Sequence, residues 1–536
     1  MTKKKLIPLS VVGVVLLAVA GWKSYGWWLA HKLDAYKAEL AARGEKLSIQ
    51  ELMAERREPA SNQADFVLQA LMRMRKDLRI SSNPPPMMKM ILPGRALVGW
   101  KLPLVVGKDY FPSGQNLTME EVFITNTWAE FAENLELPNE GLDQLRELVG
   151  QPAIDFHLDF TRGADLLLPH LAPMKQGIQT LSYSAMTDLH HGKTARAAHT
   201  VRSMIALSEG FRDEPLGISQ LVRAAMMQIP ISTTWELSQA PDVSDTDLKA
   251  IQADFDRVDF RKSLEQSLVM ERAMGNMMIR QFREKGRIFG QGATPAMGGT
   301  PVTTISGWDR FEERAKQVLS PRELQKNLSE LVWQSALSYE DEMRHLKAVA
   351  VVIDGVRASS NRCYFEVVAE TRAKMNALTG VKHEEEEEDG LLFCGVGEDS
   401  LSNFRTTITD VGWAYSIFKK VGQTETFRSL VATAIALNRY KLRHGEFPDE
   451  LAKLTPDFLV KPARDPVDGQ LLRYRREADG RFTLYSVGED GVDNGGDPSP
   501  GPGKSPHWQK GRDWVWPQPA TPAEIQEWER TQNKSK

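Results

Sequence analysis

At 536 residues the chain is long enough for roughly two or three domains, each with a core of its own. Its 67 basic and 71 acidic residues leave a formal net charge of −4 and are interspersed along the sequence. No basic field is large enough to hold nucleic acid, and that class of function is excluded.

The N-terminus is the first informative segment. Lys3, Lys4 and Lys5 precede an uncharged run from Leu6 to Trp22, and Trp22, Tyr25, Trp27 and Trp28 then cluster around Lys23. Lysines on one side of an apolar run and aromatic residues on the other fit a membrane anchor over residues 1–30, with the lysines cytoplasmic and Lys23 reaching the interface. The run is somewhat shorter than the roughly 20 residues of an ideal span. The competing reading is a cleaved signal peptide, since Ala18-Val-Ala20 is a plausible cleavage site. Either reading exports the remainder, and the anchor reading gives a single-pass inner-membrane protein with its bulk in the periplasm. The two cysteines, Cys363 and Cys394, could pair in that compartment, but two cysteines make no disulfide framework.

Residues 31–285 read as a helical domain. A helix following the anchor ends at Gly44, Ser48 and Glu51 form a capping box for the next, and Ser61-Asn62 can cap a third. Three consecutive prolines from Pro84 break the pattern, and irregular structure is expected to about Thr118. From Met119 to Phe282 the apolar spacing is helical. Ile178, Leu181 and Ala185 line one face, and Ala198, Val201 and Ile205 line the next after a turn at His191-Gly192-Lys193. The alternation of helix and turn suggests stacked hairpins without a fixed repeat period. Met270, Met274, Met277 and Met278 have the spacing of a packed face. A Gly/Pro-rich linker is expected at 286–306, helix over 307–380, and an acidic loop at 381–400 containing His383 and the run to Asp389.

Within the helical region the densest cluster of chemically active residues is "DFHLDF", with Asp155, His157 and Asp159, followed by Asp165 and His170. His and Asp are ligands of zinc and phosphoesterase centres, so a metal-dependent hydrolase using Asp155, His157, Asp159 and His170 is the alternative reading. Alternate residues converge on a metal only from a strand or extended loop, and no second cluster supplies further ligands. The familiar hydrolase and protease motifs are absent.

Residues 401–536 form the last unit. A helix from Thr424 presents Phe427, Leu430, Val431, Ala434 and Leu437 and stops at Gly445. Leu451 and Leu454 face inward after Pro448, and Asp465-Pro466 and Asp468-Gly469 are turn chemistry. Leu471–Arg475 and Arg481–Val487 alternate as a hairpin, from which a glycine-rich acidic loop departs. The expected fold class is therefore mainly α: a transmembrane helix, a hairpin-stack-like helical region, and a small α+β domain with an antiparallel sheet.

The order of elements in this last unit resembles the globular domain of the major pseudopilin of type II secretion. Tyr440, Gly445, Phe447, Pro448, Leu451, Leu454, Asp465, Pro466, Gly469, Tyr474, Tyr485, Ser486, Gly488, Asp490 and Gly491 match that pattern in order, over roughly residues 424–517. The resemblance implies a calcium ion in the loop, held by Asp490 and by Asp513 near the end, with Asp493 and Asp497 as nearby alternatives. A hard cation does require several oxygens, and glycines let main-chain carbonyls join them. The segment 498–510 is inserted where the family's loop would close. The N-terminus also lacks the family's processing pattern, so polymerisation into a pseudopilus is not implied.

The tail of that loop, Gly501-Pro-Gly-Lys-Ser505, imitates a phosphate-binding loop. Pro498 stands where its first glycine belongs, and prolines at 500, 502 and 506 forbid the helix that must follow. No nucleotide is expected. The sequence thus reads as a membrane-anchored extracytoplasmic scaffold or interaction protein of a bacterial envelope, with protein partners and a calcium-stabilised module.

Overall fold

The computed structural model describes residues 9–56, 62–74, four short strands between 88 and 125, 140–285 apart from 151 and 153, 330–379, 412–500 and 509–519, with positions 521, 523 and 526. The expected linker at 286–306, the acidic loop at 381–400 with His383, and Cys394 lie outside the described residues.

The chain opens with α1 (Leu9–Ala42), a single helix where the sequence suggested an anchor and a separate following helix. No proline interrupts it, and it stops where Gly44 takes a left-handed φ of 81°. Its two halves differ. Val14, Leu16, Leu17 and Val19 are exposed, whereas Leu29, Leu33 and Leu40 recur at helical spacing and are buried. Among the described residues no helix is long and apolar enough to cross a membrane. The first residues of the apolar run, Leu6 to Pro8, lie outside the described residues.

The capping box is present at the start of α2 (Ile49–Glu55): the Glu51 amide donates to the Ser48 hydroxyl at 3.2 Å, and the Ser48 amide donates to the Glu51 carboxylate at 3.0 Å. Ahead of α3 (Ala64–Arg73), the Asn62 side chain accepts from the Ala64 amide at 3.0 Å, but the N-cap position is Gln63, whose side chain makes no capping bond; Ser61 lies outside the described residues. Two antiparallel hairpins follow: three of their strands lie in the stretch expected to be irregular, and the fourth, at 123–125, lies past Met119 where helix was expected. In one, β1 (Met88–Leu92) pairs with β2 (Arg95–Val98), and in the other β3 (Pro103–Val105) pairs with β4 (Phe123–Thr125). Prolines masked strand patterns only a few residues long, and pairing across the second hairpin is beyond the reach of local periodicity.

The body is a stack of helices: α4 (Glu140–Arg146), α5 (Leu171–His190), α6 (Thr194–Glu209), α7 (Gly217–Leu237), α8 (Asp245–Asp256) and α9 (Phe260–Lys285). The apolar faces read from the sequence are its interior, with Ile178, Leu181, Ala185, Ala198, Val201 and Ile205 all buried. Gly192 makes the α5–α6 turn with a φ of 68°. A turn of π-helix, Trp333–Leu337, leads into α10 (Ser338–Ala358), which packs along α9 and α1, and α11 (Tyr364–Thr379) follows.

Helix α12 (Gly412–His444) is longer than the sequence reading implied and is buried on more than one side. It packs against α7 and α8 of the body and against the C-terminal sheet, so one apolar core runs through both. Arg439 of α12 reaches Asp245 at 2.8 Å and Gln252 at 2.9 Å on α8, and Trp235 of α7 donates to the Pro517 carbonyl at 2.7 Å. The sheet is three-stranded and antiparallel in the order β5 (Arg473–Arg476), β6 (Phe482–Ser486), β7 (Trp514–Val515). The hairpin β5–β6 is the one the alternation predicts, whereas β7 is too short to carry a pattern of its own. The chain is therefore mainly helical with a small antiparallel sheet.

Candidate functional site

Asp155, His157 and Asp159 do lie on an extended, non-helical segment, the one context in which their spacing could serve a metal. Their side chains have other partners. Asp155 is buried and pairs with Arg56 at 3.0 Å, while its main chain is clasped on both sides by the Asn62 amide group at 2.7 and 2.9 Å. His157 is held at a left-handed φ of 52° by its own amide donating to Asp155 at 2.8 Å, and its ring sits 3.2 Å from Asn62. Asp159 caps the short 3₁₀ turn Phe160–Asp165 through Thr161, whose hydroxyl and amide hold the carboxyl below its ordinary range.

His170 is buried elsewhere, stacked on Phe156 at 4.0 Å and bonded to Glu214 at about 3.1 Å. Ser219 donates to the same Glu214 carboxylate. These are triad residue types in the wrong order, because the carboxylate separates the serine from the histidine that would have to take its proton. Asp165 caps nothing and pairs with nothing in this group. Among the described residues no three His, Cys, Asp or Glu side chains gather to hold a metal ion.

The C-terminal loop is the more ordered constellation, and it is built on Asp465. This carboxylate is fully buried at the Asp-Pro turn, where it accepts from the Val467 amide at 2.9 Å, the Val487 amide at 3.0 Å and the Ser486 hydroxyl at 2.8 Å. Burial pushes its pKa up, against the pull of those donors. It thereby bolts the turn before β5 to the end of β6, which gives a physical reason for an Asp and a Ser at those two positions of the pattern. Tyr474 donates to the Pro448 carbonyl at 2.5 Å, and Phe447 packs edge-on against Phe482. Gly488 turns the chain at a φ of 70° where a Cβ would overlap the Arg512 carbonyl.

The four aspartates of the loop have distinct surroundings. Asp513 is fully buried and accepts three main-chain amides: Gly496 at 2.7 Å, Asp497 at 3.1 Å and Asn494 at 3.3 Å. Its pKa is pushed up by burial. Asp490 accepts from the Val492 amide at 2.9 Å and from the Asn494 side chain at 3.4 Å, so Asn494 lies between Asp490 and Asp513. Asp493 turns the other way, to the Gly495 amide and Tyr485 hydroxyl at 3.0 Å and to Arg473 at 3.2 Å. The Gly495 amide, with Tyr485 and Arg473, holds its carboxyl below the ordinary range. Asp497 accepts from the Ser499 amide at 2.9 Å and from its hydroxyl, which lowers it likewise.

With Arg512 3.9 Å from Asp497, Arg473 is the cation most deeply engaged in this site. It meets Asp468 at 2.5 Å, Asp493 at 3.2 Å and Asp465 at 3.4 Å, compensating three carboxylates with one guanidinium. A calcium ion held by all four loop aspartates does not fit this arrangement, since Asp493 and Asp497 face other partners. Asp490 and Asp513, on either side of Asn494, are the two that share one part of the loop. Sequence reasoning missed Asp465, Arg473 and Asn494 as participants, because their partners lie on other strands and turns.

No protein-family model matches the chain, and no curated protein or solved structure matches it either.

Proposed function

We propose that this is a membrane-anchored, extracytoplasmic scaffold or interaction protein of a bacterial envelope, carrying a pseudopilin-like C-terminal module. The observation that carries the reading is the asymmetry of α1. Its first half is apolar and exposed, with Leu17 at 75 % and Leu16 at 64 %, while its second half is buried in the body. An apolar helix left uncovered at the end of a well-packed body, followed by Trp22, Tyr25, Trp27 and Trp28, has the composition of a membrane anchor with an interfacial aromatic belt. The scaffold role rests on the broad helical surface joined to the module through one core.

The module reading is supported by the match of residue pattern and element order: helix, turn, hairpin, acidic loop. Within it, calcium would take one oxygen each from Asp490 and Asp513 and the remainder from main-chain carbonyls of the loop. Arg473 already serves Asp493, so those two charges need no ion between them.

Flotation of the full chain with vesicles of phosphatidylethanolamine and phosphatidylglycerol tests the anchor. The intact chain should float and resist alkaline extraction, and removal of residues 1–21 should release it. An intact chain that stays with the soluble fraction refutes the reading. Calcium should raise the melting temperature of the full chain, and Asp490→Asn should remove that rise. An unchanged melting temperature in calcium refutes the metal and leaves the anchor standing.

A further inference from the structure

The seat of α1 on the body has a defined register. Trp22 donates its indole N–H to the Ser335 hydroxyl at 2.8 Å, Lys37 pairs with Glu342, and Arg357 pairs with Glu45. Contacts therefore advance together along both segments, and α1 runs parallel to the helical segment 330–358. Gly26 lets the two backbones touch, since a Cβ there would overlap the Ser335 carbonyl.

This register fixes the level of what precedes Ser335. The Ser335 hydroxyl, while accepting from Trp22, donates to the Leu331 carbonyl at 2.7 Å, so 331 lies one helical turn back. One turn is roughly 5–6 Å along the axis, in the direction of the exposed apolar half of α1. Leu331 and Val332 thus stand beside the stretch of α1 just before Trp22, and both are exposed, Leu331 at 62 %. Nothing in their own chemistry favours water at that position. Further along α1, the Lys32 ammonium lies 3.8 Å over the Trp28 ring.

We propose that Leu331 and Val332 form a second lipid-contacting element, so that two parallel helices seat the body on the bilayer. The occupant of this exposed apolar surface is the interfacial layer of the membrane itself. Continuity points to lipid: the patch adjoins the apolar half of α1, about one helical turn from the level of Trp22. The body is then held at a fixed height and tilt, not swung from a single flexible tether. This inference rests on the anchor reading above.

The test uses the full chain reconstituted in phosphatidylethanolamine–phosphatidylglycerol vesicles, with Cys363→Ser and Cys394→Ser as background. An environment-sensitive fluorophore is placed at Leu17→Cys, Leu331→Cys or Val460→Cys, all exposed positions. Lipids carrying a nitroxide near the headgroup should quench the label at 17 and at 331, and leave that at 460 unaffected. Quenching at 17 without quenching at 331 overturns the second contact and leaves the anchor intact. No quenching at 17 overturns the anchor and this inference with it, and quenching at 460 equal to that at 331 overturns the fixed orientation.

Discussion

Asp513 should hold the acidic loop in place without help from any ion. Its carboxylate is buried and accepts the amides of Asn494, Gly496 and Asp497. Hydrogen bonds to a charged acceptor contribute about 1.5–3 kcal/mol each, but these three donors lie on a loop that water can reach after the substitution, so about 1 kcal/mol apiece is the safer figure. Asp513→Ala should then weaken local closure by about 3 kcal/mol, which corresponds to roughly a hundredfold faster exchange of those amides. Hydrogen exchange of the full chain, followed by mass spectrometry on a peptide spanning 494–497, reads this directly. The measurement is made with chelator present, so that no calcium contribution enters. Exchange as slow in Asp513→Ala as in the parent chain would show that the carboxylate does not organise the loop. Protection that appears in the parent only when calcium is added would show that the ion, and not the carboxylate alone, does the ordering.

His345 is buried against Gly275 with its Nε2 3.3 Å from the Arg272 carbonyl, and burial pulls its pKa down to about 4 against the pull of nearby Glu342. The folded chain binds this proton less readily than the unfolded one, so the contribution is present above about pH 6.5 and is lost as pH falls toward 4. With 1.36 kcal/mol per pKa unit the loss approaches about 3 kcal/mol, and the melting temperature of His345→Gln should depend less on pH across that window than the parent's; identical profiles would refute the assignment. Gly26→Val should push α1 off the 333–337 turn and speed amide exchange there by about tenfold or more, whereas Gly21→Val, with open space around its Cβ, should not. Gly488→Ala combines a left-handed φ with an overlap against the Arg512 carbonyl, and should lower the melting temperature by the equivalent of about 2 kcal/mol or more; an unchanged melt counts against the role given to that turn.

Much of the fold was legible because it is written in short-range patterns. The faces of α5 and α6, the Ser48–Glu51 capping box, the stops at Gly44 and Gly445 and the hairpin β5–β6 each depend on residues within one or two turns of one another. The candidate site was legible only as a set of residue types. That Asp493 answers to Arg473, that Asp513 gathers three amides, and that Asp155 is spent on Arg56 and Asn62 all depend on partners far along the chain. Asp155 lies 93 positions from Asn62, and no local spacing encodes such a pairing.

The sequence by itself determined the apolar faces of the body helices, where the C-terminal hairpin turns, and that the N-terminus is apolar behind lysines and ahead of tryptophans. Those properties follow from side-chain periodicity, backbone freedom at glycine and the missing amide of proline. Only the tertiary structure decided that α1 is one helix with an exposed half and a buried half, that α12 shares its core with the body, and which aspartates face one another. Burial and electrostatic pairing are set by what packs alongside, and a residue pattern carries no record of its neighbours in space.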